Sequence, residues 1–178
     1  YTFDTWITTP LGKEEVHRYP EHLTSADNSK LVQKPALDVE PARNGVSYKY
    51  YTGNFQSVKD FADTKAIEEG VIDNFTILQA RGRDHFGYDF NSYVDIPADD
   101  VYNFSLVCDD GAQLFIDDEL VIDRDGSHSR DAAVATVSLA KGFHKIRLLY
   151  FEDYMGESLG LWMESKTVRK NFIDEGSL

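Results

Sequence analysis

The chain has 178 residues, a length that suits one domain with some surplus. Its 31 acidic and 18 basic side chains give a formal charge of −13, which disfavours nucleic acid and anionic lipid as partners because it repels their phosphates. The single cysteine, Cys108, excludes an internal disulfide, and no apolar run reaches the roughly 18 residues of a membrane span. The excess of carboxylates suits a neutral glycan or a hard cation, which takes oxygen ligands, although solubility alone also accounts for it.

The first 44 residues carry four of the five prolines and show neither a helical nor an alternating apolar period. They predict an extended arm or linker, or the tail of a preceding domain. The N-terminal Tyr1 in place of Met adds the expectation of a trimmed or processed fragment. From Gly45 onward, short runs rich in Val, Ile, Tyr and Phe are punctuated by Gly, Asp and Asn, which is typical of strands joined by turns. The sequence therefore predicts a strand-rich domain over 45–168 and a C-terminal tail over 169–178.

The clearest strand signal is the apolar alternation from Phe86 to Ile96, since residues two apart share one face of a strand. Its one polar member, Ser92, suggests a bulge. One or two helical turns are predicted over 60–69, ended by Gly70, and the apolar run 71–78 is ambiguous. The remaining strands are predicted over 46–51, 101–108, 113–116, 120–122, 134–139, 143–151 and 158–164.

The sequence predicts the geometry of two of the connections between these strands. Residues 117–119 predict a tight hairpin, and the short gap between 139 and 143 predicts neighbouring antiparallel strands. Eight or more strands at this spacing, without long helices, favour an all-β fold. We expect an antiparallel β-sandwich or barrel preceded by an irregular N-terminal arm.

The acidic pair Asp109-Asp110, followed by Gly111, comes directly after a predicted strand. Adjacent residues of a regular strand point to opposite faces, so both carboxylates reach one cation only if the backbone turns sharply between them, as at a cis peptide. An ordinary hairpin turn with two solvated acids is the alternative.

Two other polar stretches lack the residue arrangement that a calcium-binding loop or a catalytic triad requires. Residues 123–127 place Gly too early for an EF-hand calcium loop and predict an exposed turn. Residues 127–131 hold a serine, a histidine and an acid, but a hydrolytic triad is assembled by the fold rather than by adjacency. His144 occupies a core-facing strand position, which favours a hydrogen-bonded structural histidine. No paired acid and base emerges, so an enzyme is disfavoured.

Five ordered motifs resemble the PA14 family, and they span about residues 45 to 165. They are Gly53 after a tyrosine-rich strand, then residues 84–97, 102–104, 109–117 and 142–152. The resemblance implies a β-sandwich module of the kind found in bacterial exo-glycosidases, fungal adhesins and toxin activation domains, where the module itself is not catalytic.

In the adhesin branch, the aspartates that match Asp109 and Asp110 are joined by a cis peptide and hold a calcium ion that binds sugar hydroxyls. An asparagine from the loop before the last strand completes that site. The corresponding loop here, 152–158, contains no asparagine, so Asp153 or Glu157 would take its place as an oxygen ligand. The metal ligands implied are therefore Asp109, Asp110 and Asp153.

The same resemblance predicts a carbohydrate-binding accessory module of a secreted or surface glycoside hydrolase. Its partners would be a glycan and an adjacent catalytic domain, and its location extracellular, periplasmic or at the cell surface. The candidate sugar contacts are Asp109, Asp110, Tyr154, Glu157 and Trp162; the core of the second sheet is an alternative place for Trp162. The competing functions are a structural module that packs on a catalytic domain without binding glycan, and a calcium-dependent adhesin-type lectin domain.

Overall fold

The computed structural model describes residues 5–9, 12–16, 30–41, 44–166, 168 and 171–173. The chain divides into two compact units, Tyr1–Val32 and Gln33–Leu178. In the first unit, β1 (Thr5–Thr9) and β2 (Gly12–Val16) pair as an antiparallel hairpin, which the irregular composition of this segment did not predict. No helix in the described ranges is long and apolar enough to cross a membrane.

The second unit is built from two antiparallel sheets. Its strands are β3 (Val46–Thr52), β4 (Glu68–Ile72), β5 (Phe86–Ile96), β6 (Asp100–Asp109), β7 (Ala112–Ile116), β8 (Glu119–Arg124), β9 (Asp131–Leu139), β10 (Gly142–Glu152), β11 (Ser158–Glu164) and β12 (Asn171–Phe172). One sheet has the order β4-β3-β5-β10-β7-β8 and the other the order β12-β11-β6-β9. The expected all-β, antiparallel sandwich is confirmed.

The main core lies between the sheets and is rich in aromatic rings. Along β5, Phe86, Tyr88 and Phe90 point inward, as their alternation predicts. Tyr88 packs on Tyr50 of β3 with ring centroids 4.9 Å apart and on Phe90 at 4.8 Å. Each buried aromatic side chain removes a large apolar area from water, at about 25 cal/mol per Å², so this face drives the pairing of the two sheets.

A second apolar cluster covers part of the outer face of the six-stranded sheet. A 3-10 helix, Val58–Asp63, lays Phe61 against Tyr51 with stacked rings 4.8 Å apart. The close approach needs Gly87 in the sheet, since a Cβ there would lie 2.4 Å from the Phe61 ring. The expected helix over 60–69 is therefore wrong in extent: it begins and ends earlier, and Gly70 lies inside β4.

Two further sequence expectations are wrong. The ladder of β5 with β10 runs through Ser92 without a register shift, because the Ser92 hydroxyl donates to the Gly45 carbonyl at 2.7 Å and so is satisfied inside a regular strand. The strands β9 and β10 are not neighbours: β9 pairs with β6 and β10 with β5 and β7. Their short connection passes from one sheet to the other. The hairpin between β7 and β8 is present, with Asp117 and Asp118 both at positive φ.

Two segments at the margins of the predicted domain also take part in this unit. Residues 33–41, assigned to the arm by composition, belong to the second unit, where Lys34 bridges Leu139 and the Leu37 amide donates to the Phe143 carbonyl at 2.9 Å. Of the predicted tail 169–178, residues 171–172 form β12 beside β11; residues 169–170 and 174–178 lie outside the described residues.

Candidate functional site

The acidic pair lies where β6 ends, and its peptide bond is cis. Asp109 is the last residue of β6 and faces Ser158 of β11 in the ladder. Asp110 and Gly111 lead directly into β7, and a Cβ on Gly111 would lie 2.3 Å from the Phe151 ring. The chain thus turns between the two carboxylates, as the resemblance implies, instead of pointing them to opposite faces.

Asp110 is buried and holds two loops together through backbone amides. Its Oδ1 accepts from the His128 amide at 2.8 Å, and its Oδ2 accepts from the Asp153 amide at 2.8 Å and the Tyr154 amide at 3.4 Å. These bonds satisfy both carboxylate oxygens, and they fix the β8–β9 connection and the β10–β11 loop around Asp110.

Glu152 is the last residue of β10 and is fully buried. Its Oε2 accepts from the Tyr150 hydroxyl at 3.1 Å, whereas Oε1 has no hydrogen-bond partner in the described part of the chain. Burial, followed by the Asp110 charge, raises the pKa of Glu152 to about 8, against the opposing effect of the Tyr150 hydrogen bond. A buried carboxylate oxygen without a partner is costly, and a proton or a cation bound to it would remove that cost.

The ligand atoms of Asp109, Asp110 and Glu152 all lie within 4.8 Å of one another. Calcium takes oxygen ligands at about 2.3–2.6 Å, so atoms that share one ion lie at most about 5 Å apart. The spacing, the three carboxylates and the unpartnered Glu152 oxygen therefore fit a hard cation. Burial also raises the pKa of Asp109, and the Asp110 charge adds to this against a backbone hydrogen bond from Arg130.

The β10–β11 loop places exposed side chains beside the three acids. Tyr154 is 64% exposed, and Met155 next to it is also exposed. The Tyr154 ring lies nearly parallel to the His85 ring, with centroids 6.4 Å apart. Gly156 passes close to Asp109, since a Cβ there would lie 3.1 Å from its Oδ2. An exposed aromatic ring thus lies on the loop whose backbone contacts the acidic cluster.

Asp153, expected as a metal ligand, contributes its backbone rather than its carboxylate to this cluster. Its Oδ2 accepts from Ser127 Oγ at 2.8 Å and from Gln56 Nε2 at 3.1 Å, and its Oδ1 lies 3.7 Å from His85 Nδ1. Adjacent strand residues point to opposite sides, so the side chain that joins the aspartates is that of Glu152.

The two remaining sequence candidates occupy different environments. Glu157 is half-buried in the loop, and its charge is one of the smaller causes of the raised Glu152 pKa, after burial and Asp110. Trp162 is only 6% exposed, and its ring covers Gly160, where a Cβ would lie 2.4 Å away. The structure therefore gives Trp162 a packing role and leaves Tyr154 as the open ring.

Sequence reasoning also missed the part played by residues 123–131. Asp125 accepts from Ser57 Oγ at 2.6 Å and from the Val58 amide at 2.8 Å, which ties this connection to the start of the 3-10 helix. Ser127 and His128 then reach Asp153 and Asp110. Local composition predicted an exposed turn because none of these contacts is local.

Fold and site together define a β-sandwich module that gathers three acids at the ends of β6 and β10, beside an exposed loop. The PA14 domain model matches residues 42–171. The chain therefore belongs to the PA14 domain family, whose members are generally non-catalytic carbohydrate-binding or accessory domains.

Three solved structures share the fold. An anti-sigma factor domain-containing protein from Clostridium clariflavum is 22% identical with a TM-score of 0.65, over 83% of this chain and 51% of that one. A PA14 sugar-binding domain from an RTX adhesin is 15% identical with a TM-score of 0.63, over 76% and 98%. A β-glucosidase from Kluyveromyces marxianus is 17% identical with a TM-score of 0.51, over 74% and 18%.

The chain thus spans about half of the length of the anti-sigma factor domain-containing protein that it matches. No curated protein sequence is significantly similar to it. At these identities the solved structures establish the fold, and the function is argued from the site.

Proposed function

We propose that this chain is a non-catalytic carbohydrate-binding module whose ligand binds at the loops 109–112 and 152–158. The observation that carries the proposal is the meeting of Asp109, Asp110 and Glu152, with an unpartnered buried oxygen, beside the exposed ring of Tyr154. A structural domain that bound nothing would gain little from gathering three acids with Asp110 and Glu152 buried, since a buried carboxyl group without full compensation is costly.

Asp109, Asp110 and Glu152 would hold a calcium ion in this site. Bound there, the ion would neutralise the carboxylates and offer its open coordination positions to ligand hydroxyls, since calcium takes six to eight oxygen ligands. The Asp110 amide contacts keep both loops in place around it. In this proposal Glu152 is the third metal ligand, in place of the asparagine that the resemblance to the adhesin branch implies.

Tyr154 supplies the apolar contact with the sugar ring. A sugar ring presents a face of C–H groups that packs on an aromatic ring, while its hydroxyls need polar partners. The exposed Tyr154 ring and the half-buried Glu157 carboxylate lie in the same loop, so one residue contacts the face and the other the rim of a bound sugar.

The parent protein, in this proposal, is a secreted or surface glycoside hydrolase, and the module acts beside its catalytic domain in an extracellular, periplasmic or cell-surface location. The fold shared with a β-glucosidase chain supports this setting, and the fold shared with an RTX adhesin domain supports an adhesin-type lectin as the second candidate. Deleting the module from its parent distinguishes these two roles: loss of turnover on one sugar class supports the first, and loss of cell attachment the second.

Calorimetric titration tests the site, with calcium alone and then with a glycan panel in calcium or EDTA. We expect Glu152→Gln to weaken calcium binding at least tenfold, or about 1.4 kcal/mol, and Tyr154→Ala to weaken sugar binding by a similar factor without changing calcium affinity. Asp118→Asn, which changes an exposed acid on the β7–β8 turn, and Leu78→Ala, which removes an exposed apolar side chain elsewhere, serve as matched controls. The proposal fails if no sugar binds in either condition.

A further inference from the structure

A cavity of about 350 Å³, lined by both polar and apolar groups, opens on the outer face of the six-stranded sheet, across β4, β3 and β5. Cross-strand neighbours line it, because Ser47 pairs with Val71 and Asn91, and Lys49 pairs with Glu69 and Asp89. Its volume lies in the range of small-molecule sites, about 300–1,000 Å³. Since β4 is an edge strand, a longer ligand can extend past the cavity.

The floor of the cavity is a hydrogen-bonded network around Asp89, which is nine-tenths buried. Arg147 holds this carboxylate with two bonds, Nε to Oδ1 at 2.9 Å and Nη2 to Oδ2 at 2.8 Å. Asn91 Nδ2 donates to the same Oδ1 at 2.8 Å. This bond fixes the orientation of the Asn91 side-chain amide. Polar groups held in advance lose little freedom when a ligand binds.

The charges at this cavity cancel, although the chain as a whole carries −13. Lys49 lies 3.6 Å from Glu69, and Arg147 offsets Asp89. A balanced set of donors and acceptors favours neither an anion nor a cation and suits a neutral ligand with many hydroxyls. We infer that this cavity is a second saccharide site, formed by Ser47, Lys49, Asp89 and Asn91.

This cavity is separate from the acidic cluster. A row of Tyr51, Gly87 and Phe151 crosses the same face of the sheet, and Phe61 packs onto it from the 3-10 helix. The cavity residues supply amide, hydroxyl and ammonium groups and need no metal. A polysaccharide that reached both sites would gain avidity from the second contact.

Amide NMR titration with neutral tetrasaccharides of glucose, xylose and mannose, in EDTA, tests the inference. We expect shifts confined to the amides of Ser47, Lys49 and Asn91, and an affinity at least about fivefold weaker in Asn91→Ala and Lys49→Ala. Asp95→Ala, an exposed acid farther along β5, is the matched control and leaves binding unchanged.

A second arm separates this site from the acidic cluster. Asp109→Ala removes calcium-dependent binding but leaves the titration in EDTA unchanged, so either site can fail without the other. The inference is overturned if none of the neutral sugars shifts these amides at millimolar concentration, if the Asn91 and Lys49 variants bind as the wild type does, or if charged oligosaccharides bind more tightly than neutral ones.

Discussion

Glu152 makes the stability of the module depend on pH in the absence of a cation. The unfolded chain releases the Glu152 proton near the ordinary value of 4.5, whereas the folded state, with its pKa at about 8, keeps it longer. Between these values the folded state binds more protons, so the free energy of unfolding falls as pH rises, by up to about 1.4 kcal/mol per pH unit. Denaturant unfolding in EDTA between about pH 5 and pH 8 measures this slope.

The variant Glu152→Gln isolates the effect, since it keeps the shape of the side chain and removes the titrating proton. We expect its pH slope to be flatter than that of the wild type. Asp95→Asn, which changes an exposed acid of β5 that is not among the causes of the raised Glu152 pKa, should keep the wild-type slope. Parallel curves for the wild type and Glu152→Gln would contradict this account.

Cys108 is a buried thiol that reports on unfolding. Burial, followed by the Asp131 charge, raises its pKa to about 12, so almost no reactive thiolate exists near neutral pH. We expect a thiol reagent to label the native protein only at the rate of unfolding, and to label the urea-unfolded chain at once. Fast labelling with unchanged circular dichroism would show that the thiol is open in the native state.

Part of the site was visible in the sequence at the level of single residues. The ordered motifs indicated the cis-linked Asp109 and Asp110, and Tyr154 in a polar loop suggested an open ring. The inward alternation His144, Ile146, Leu148, Tyr150 extends without interruption to Glu152, and that signal would have found the third acid. The contacts of His128 with Asp110 had no such signal, because they join residues far apart in the chain.

Among the elements, the 3-10 helix depends on a glycine in the strand beneath it. In Gly87→Ala, the new methyl group would overlap the Phe61 ring, so we expect the free energy of unfolding to fall by about 1–3 kcal/mol. Gly82→Ala is the matched control, since the nearest atom to its Cβ lies at 3.5 Å, and it should change stability by less than about 0.5 kcal/mol. Equal effects of the two variants in thermal unfolding would remove the packing explanation.

Strand positions were predictable because the alternation is local, whereas strand partners were not. Residues 86–96 and 101–108 appear as strands near the expected bounds, since one buried face imposes a period of two. The error at β9 and β10 has a physical cause: the two residues 140 and 141 can close a hairpin or carry the chain between sheets, and the choice depends on distant partners. The buried His144 ring holds this connection in place. It lies 2.8 Å from the Ala140 carbonyl oxygen and 2.7 Å from Asp117 Oδ2 of the β7–β8 turn.

For the whole molecule, we expect salt and calcium to raise stability in different ways, salt through the net charge of −13 and calcium through the acidic cluster. Sodium chloride screens the repulsion among carboxylates, so the Tm should rise gradually with salt and in every variant. Calcium should raise the stability of the wild type at low concentration and at constant ionic strength, by about 2.7 kcal/mol at one hundred times its Kd. Asp109→Ala should lose the calcium effect and keep the salt effect; equal responses of both proteins to calcium would show screening alone.

The acids of the cluster belong to different sheets, since Asp109 ends β6 in the four-stranded sheet and Glu152 ends β10 in the six-stranded sheet. An ion held between them would link the two sheets at the edge where the proposed ligand site lies. Pulling force applied through the two sheets would then have to break ionic contacts before the core could open. The three acids would therefore determine both the affinity of the module for a sugar and the mechanical force that the module withstands while the sugar is bound.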